Sequence, residues 1–164
     1  MKAAVIMGSK SDLPVVGKTI STLKSFGVKV EGRVLSAHRT PDEAHAFAAS
    51  AEENGVEVII AAAGKAAHLA GVLAAYTTLP VIGLPIKSST MDGLDSLLST
   101  VQMPPGIPVA TVAIDGAVNA ALLAVQILSL KYPELKTKLA AYKKDLAAKV
   151  LEADQTLQKE IDLI

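Results

Sequence analysis

The stretch VEVIIAAAGKAAHLAG, residues 56–71, contains the pattern that decides the fold. It begins with an almost wholly apolar run, residues 56–63, whose length suits a strand buried on both faces of a parallel sheet. A loop with Gly64 follows, and a helical pattern begins at about Ala66. The same order of strand, loop and helix recurs along the chain, and this alternation predicts βαβ units.

Five apolar runs predict five strands, at about residues 3–7, 28–35, 56–63, 79–85 and 108–114. The clearest helix between them begins at Pro41, where Thr40 as N-cap and Glu43 three residues later form a capping box. Later helices are predicted to begin at about residues 66, 94 and 117. Five parallel strands joined by right-handed crossovers predict a three-layer, doubly wound α/β sheet in the flavodoxin-like order 2-1-3-4-5.

Composition excludes several classes of function. The 164 residues suit one domain, and Lys plus Arg and Asp plus Glu are both 16, so no net positive charge favours nucleic acid or an anionic membrane. Cysteine is absent, which excludes disulfides, thiolate zinc sites and thiol chemistry. The first apolar run is too short for a signal peptide or a membrane span, so we expect a cytoplasmic protein.

The end of the chain follows a different pattern. Apolar residues recur every three or four positions over residues 133–164, which predicts one long C-terminal helix beyond an α/β core of residues 1–130. Such a helix is longer than the core is wide, so we expect part of its apolar face to pack on neighbouring subunits. The alternative is a helix that packs entirely on its own sheet.

Candidate functional residues lie in the loops after the first three strands. In a doubly wound sheet, ligands bind at the carboxyl ends of the strands, where the strand order reverses. The loops there have the sequences GSKSD (residues 8–12), SAHRTP (36–41) and AGKAAHLAG (63–71). They are predicted to converge on one edge of the sheet.

Each loop allows a functional and a structural interpretation. The first offers backbone and hydroxyl donors to a phosphate, although Asp12 could be a simple N-terminal acid of the next helix. Arg39 could bind a phosphate with two hydrogen bonds, and His38 could act as acid and base near neutral pH; a solvated arginine and a packed histidine are the alternatives. His68 could likewise be a packing residue, and His45 is interpreted as a surface residue.

No metal site is predicted. The two histidines of interest are on separate loops, and no metal-binding motif accompanies them. Asp92 and Asp95 are interpreted as acids at a helix N-terminus rather than as a catalytic pair.

Several segments together resemble one known family. These are MGSKSDL (residues 7–13), SAHRTPD (36–42), AAHLAGVLAA (66–75), LPVIGLP (79–85), GLDSLLSTVQMPPGIPVATVAI (93–114) and NAALLAVQIL (119–128). In order and spacing they resemble the PurE family, class I 5-(carboxyamino)imidazole ribonucleotide mutases of de novo purine synthesis. The resemblance implies a flavodoxin-like fold, a homo-octamer, and a carboxyl shift from the exocyclic nitrogen to ring C4 without ATP, metal or cofactor.

The resemblance also implies roles for individual residues. His38 would be the general acid and base, with His68 as the second catalytic residue, on a mobile loop over the carboxylate and base. The substrate, a small ribonucleotide, would be bound by Ser9, Ser11, Asp12, Ser36, Ala37, Arg39, Gly64, Lys65, Ala66, Ala67 and Leu69. Two positions depart from the family, which commonly has glycine in place of Lys65 and proline in place of Ala70.

The sequence allows two alternative functions. The family has a second branch that carboxylates aminoimidazole ribonucleotide directly with carbon dioxide. A protein of a different class, a non-catalytic ribonucleotide sensor, would use the same crevice without an acid–base residue. For the mutase, an ATP-dependent carboxyaminoimidazole ribonucleotide synthase is the expected functional partner.

Overall fold

The structure is a computed structural model, and it describes residues 1–163. Five strands and six α-helices lie in this part of the chain, with a short 3₁₀ turn at Lys10–Asp12. In chain order they are β1 Lys2–Met7, α1 Leu13–Ser25, β2 Lys29–Val34, α2 Pro41–Ser50, β3 Val58–Gly64, α3 Leu69–Ala74, β4 Val81–Ile86, α4 Leu94–Val101, β5 Ala110–Thr111, α5 Ala117–Leu128 and α6 Pro133–Ile161.

The strands form one parallel sheet in the order β2-β1-β3-β4-β5, which confirms the predicted topology. β1, β3 and β4 are buried almost throughout, as their apolar sequences require, whereas β2 is a largely exposed edge strand. β5 is only two residues long rather than the predicted seven. Beyond Thr111 the chain still follows β4, but isolated hydrogen bonds to Gly83 and Pro85 replace the regular ladder.

Helices cover both faces of the sheet and give the predicted three layers. Alternate β1 residues face opposite sides, so Val5 packs in one core with residues of α1, α5 and α6, and Ile6 packs in the other with residues of α2 and α3. Alanine is frequent in both cores, which lets the helices approach the sheet closely. Because all the strands are parallel, their carboxyl ends lie at one edge of the sheet.

The start of α2 differs in detail from the prediction. Thr40 is the N-cap residue, but its hydroxyl makes no capping hydrogen bond, so the predicted capping box is wrong. The hydroxyl turns back instead, accepting from the backbone N–H of Ser36 at 2.9 Å and lying 3.2 Å from its carbonyl oxygen. These contacts close the loop between β2 and α2 into a compact turn.

α3 begins at Leu69, three residues later than predicted. Lys65 has a left-handed backbone with φ of 57°, and the N–H of His68 bonds to the carbonyl of Ala66 at 2.9 Å, so residues 65–68 form a turn. His68 is consequently the N-cap of α3 and projects from a loop rather than from a helix face.

α6 confirms the prediction of a long C-terminal helix. Its 29 residues span about 44 Å, at about 1.5 Å per residue. Only Leu135 and Leu139 of this helix are buried, while Val150 and Leu151 in its second half are mostly exposed. Ile164 lies outside the described residues. Within residues 1–163, no helix has both the length and the apolar character needed to cross a membrane.

Candidate functional site

A cleft of about 680 Å³ lies at the carboxyl edge of the sheet, where the loops after β1, β2, β3 and β4 meet. Twelve of the thirteen predicted site residues line it. They are Ser9, Ser11, Asp12, Ser36, Ala37, His38, Arg39, Gly64, Lys65, Ala66, His68 and Leu69. The switch-point rule thus located the cleft from the sequence.

Ala67 is the predicted site residue that does not line the cleft. Its side chain is buried, and its carbonyl faces the hydroxyl of Thr100 on α4 at 3.5 Å. In the turn of residues 65–68 it therefore points into the core while its neighbours point outward. The geometry does not support a contact between its side chain and a ligand.

The loop after β1 presents a group of hydroxyls and one carboxylate. Ser9 caps the 3₁₀ turn by accepting from the backbone N–H of Ser11 at 3.2 Å, and the two serine hydroxyls lie 2.8 Å apart. The Ser11 hydroxyl also lies 3.3 Å from Asp12 Oδ1. Burial in the cleft raises the pKa of Asp12 above its ordinary value, although hydrogen bonds from Ser11 and the Ser9 backbone oppose this effect.

Arg39 joins the first two loops. Its Nη2 donates to the carbonyl of Gly8 at 3.0 Å, and its Nε donates to the hydroxyl of Ser36 at 3.4 Å. A guanidinium has five N–H donors, so these contacts orient the group while leaving donors free for an anion in the cleft. The arrangement suits a phosphate placed between the two loops.

His38 and His68 meet across the cleft. His38 Nε2 lies 2.9 Å from His68 Nδ1, and the rings are close to perpendicular, with centroids 5.0 Å apart. One of these nitrogens donates the hydrogen bond and the other accepts it, so the tautomers of the two rings must be complementary. This contact brings together two loops separated by 30 residues in sequence.

The loop after β4 also lines the cleft, through Ile86, Lys87, Ser88 and Ser89, which were not among the predicted site residues. The signal for this loop in the sequence is the run KSS after the apolar fourth strand, to which the switch-point rule also applies. The backbone N–H of Lys87 donates to Asp115 at 2.9 Å, and the Ser88 hydroxyl donates to Asp95 at 2.8 Å. These two bonds fix the start of the loop.

The remaining candidates lie outside the cleft. Asp95 is in the first turn of α4, as predicted, and Asp92 pairs with Lys87 at 3.2 Å. His45 stacks on Tyr76 with ring centroids 4.1 Å apart and does not reach the site. Within residues 1–163, no three His, Asp or Glu side chains are grouped as metal ligands.

Comparison with known proteins identifies the family. The family model described as AIR carboxylase matches residues 2–149. The chain belongs to the AIR carboxylase family. It is 64% identical over 145 residues to the N5-carboxyaminoimidazole ribonucleotide mutase of Pyrococcus abyssi, a match that covers 88% of this chain and 83% of the relative.

Two further relatives agree with this membership. The N5-carboxyaminoimidazole ribonucleotide mutase of Thermotoga maritima is 54% identical over 158 residues, covering 96% of this chain and 92% of the relative. The crystal structure of Treponema denticola PurE superposes with a TM-score of 0.85 at 31% identity, covering 95% of this chain and 98% of that one. The resemblance to the PurE family stated from the sequence is therefore confirmed.

Proposed function

We propose that this chain is an isomerase of purine biosynthesis that converts N5-carboxyaminoimidazole ribonucleotide to 4-carboxy-5-aminoimidazole ribonucleotide. The observation that carries the proposal is the His38–His68 pair, 2.9 Å apart, in the same cleft as Arg39. This cleft supplies an acid–base unit and an anion-binding group in a chain 64% identical to a relative named for that mutase activity.

His38 acts first as an acid and then as a base. It protonates the carbamate nitrogen, the N–C bond breaks, and the electron pair remains on the nitrogen as carbon dioxide is released. Ring C4 then attacks the trapped carbon dioxide to form a C–C bond, and His38 removes the C4 proton. One imidazole serves both steps because the proton leaves it in the first and returns in the second.

The surrounding residues hold the nucleotide and the released carbon dioxide in place. Arg39, oriented by Gly8 and Ser36, binds the phosphate, and Asp12 accepts hydrogen bonds from the ribose hydroxyls. Gly64, Ala66 and Leu69 line the cleft with His68 and form an apolar wall that keeps carbon dioxide close to C4. Holding both reactants together lowers the entropic barrier to the second step.

The assay uses purified protein and N5-carboxyaminoimidazole ribonucleotide, with a chelator present and with ATP and bicarbonate omitted. Formation of the C4-carboxylated product is followed for the wild type, His38→Asn and the matched control His45→Asn. We expect conversion by the wild type and by His45→Asn, because His45 lies outside the cleft. His38→Asn should lose at least about a hundredfold in kcat, the usual scale of acid–base catalysis.

Two other outcomes would replace the mutase assignment. If the wild type converts nothing here but carboxylates aminoimidazole ribonucleotide when carbon dioxide is supplied, the chain is a direct carboxylase. If it binds aminoimidazole ribonucleotide and converts neither compound, the chain is a ribonucleotide sensor. Equal activity of His38→Asn and the wild type would contradict the role given to His38.

The proposal extends to assembly and location. It places the chain in a cytoplasmic homo-octamer that receives its unstable substrate from an ATP-dependent synthase. The exposed apolar residues of α6 support contacts between subunits, since Val150 and Leu151 are more than 60% exposed in the single chain. Light scattering should give about eight times the chain mass of 16.9 kDa; the mass of a single chain would contradict this assembly.

A further inference from the structure

Lys65 differs from the other cationic residues of the cleft in its backbone and its surroundings. It has a φ of 57°, in the left-handed region that disfavours side chains with a Cβ atom. Its side chain is exposed and lines the cleft. The turn therefore places an ammonium group at the cleft even though glycine would adopt this backbone conformation at lower free energy.

The other cations of the cleft already have partners. Arg39 is bound to Gly8 and Ser36, and Lys87 pairs with Asp92 at 3.2 Å. Lys65, like Arg39, has no carboxylate oxygen of residues 1–163 within 4.0 Å of its charged group. Its charge is thus available to an anionic ligand.

The position of Lys65 relative to the sheet determines which anionic group of a ligand it can contact. Lys65 follows β3 and lies three residues from His68, whereas Arg39 follows β2, two strands away. Neighbouring strands are about 4.8 Å apart, so the strands that lead to the two cations are separated by about 10 Å. The proposed substrate carries its phosphate on the ribose and its carboxylate on the base, which places two anionic groups at opposite ends of one molecule.

We propose that Lys65 binds the carboxylate of the nucleotide and makes the cleft select carboxylated over uncarboxylated aminoimidazole ribonucleotide. This inference rests on the proposed function, since it assigns a substrate group to the same cleft. Arg39 binds the phosphate end, the histidine pair lies between the two anions, and Lys65 binds the end that reacts. Lys65 is a specificity residue here and takes no part in proton transfer.

The test compares two nucleotides that differ by one carboxylate. Isothermal titration gives the Kd of 4-carboxy-5-aminoimidazole ribonucleotide and of aminoimidazole ribonucleotide for the wild type, Lys65→Gln and Lys65→Arg. Lys65→Gln should weaken binding of the carboxylated nucleotide about tenfold, or about 1.4 kcal/mol. Its effect on the other nucleotide should be less than about twofold, because a charged hydrogen bond is lost only with the carboxylate. Lys65→Arg keeps the positive charge, so it should retain most of the wild-type difference in Kd between the two nucleotides.

Lys24→Gln provides the matched control, because Lys24 is exposed near the end of α1, at the opposite edge of the sheet. It should bind both nucleotides like the wild type. If Lys65→Gln weakens the binding of both nucleotides equally, Lys65 contacts the phosphate; if it weakens the binding of neither, Lys65 contacts no part of the nucleotide. Either result overturns the inference about Lys65 but leaves the proposed function standing. A wild type that binds neither nucleotide would overturn the proposed function as well.

Discussion

Gly83 in the middle of β4 is the position where a single added methyl group should damage the fold most clearly. A Cβ at this residue would lie 2.3 Å from Thr100 Cγ2 and 3.0 Å from Val109 Cγ1. Thr100 is buried, and its hydroxyl donates to the carbonyl of Ser96 at 2.7 Å, so it cannot rotate away without losing that bond. Gly83→Ala must therefore displace α4 from the sheet.

The expected loss of stability follows from two opposing effects. Overpacking a core costs about 1–3 kcal/mol, and two close contacts with branched side chains favour the upper end. Replacing glycine by alanine also reduces the entropy of the unfolded chain, which returns about 0.4–1 kcal/mol. We expect Gly83→Ala to lower the free energy of unfolding by about 2 kcal/mol, measured by urea denaturation at one fixed protein concentration.

Two further variants separate the clash from other causes. Thr100→Ser removes the methyl group that Gly83→Ala would strike but keeps the hydroxyl, so the double variant should recover at least about 1 kcal/mol relative to additive behaviour. Gly71→Ala is the matched control, because its Cβ would meet the flexible side chain of Met103 at 2.6 Å, which can move aside. A Gly83→Ala protein within about 0.5 kcal/mol of the wild type would refute the reasoning, as would additive behaviour of the double variant.

Two other predictions concern carboxylates with shifted pKa values. Burial raises the pKa of Asp12 in the folded protein. Above pH 3.8, the ordinary pKa of this group, ionisation of Asp12 therefore opposes folding. Asp12→Asn should raise the Tm at pH 7 while weakening nucleotide binding; an unchanged or lower Tm would contradict this. Burial opposes ionisation of Glu57, but hydrogen bonds from Lys131, Tyr132 and the Lys2 backbone outweigh it and lower the pKa of Glu57. The stabilisation by the Glu57 carboxylate is thus present above pH 4.5, the ordinary pKa of this group. It is lost as the pH falls through the lower pKa that Glu57 has in the folded protein. The Tm difference between the wild type and Glu57→Ala should shrink over that range, and Glu53→Ala, at an exposed turn residue, is the control for removal of one carboxylate.

The sequence by itself determined the architecture because the signals for it are local. Apolar runs such as residues 56–63 mark buried strands, and the alternation with helical patterns leaves few allowed topologies once crossovers must be right-handed. The edge of the sheet that carries the site follows from the same topology. For this reason the strand order and the loops that contain His38, Arg39 and His68 could be predicted before the structure.

Tertiary structure alone decided how these loops meet. The bonds between His38 and His68, and between Arg39 and Gly8, join residues 30 and 31 positions apart, and no local pattern encodes a contact of that separation. The side to which each residue of the turn at 65–68 points depends on one left-handed residue, Lys65, which buries Ala67 and exposes His68. Backbone angles in a short turn are set by packing against neighbouring strands and helices, so they become definite only when the whole sheet has formed.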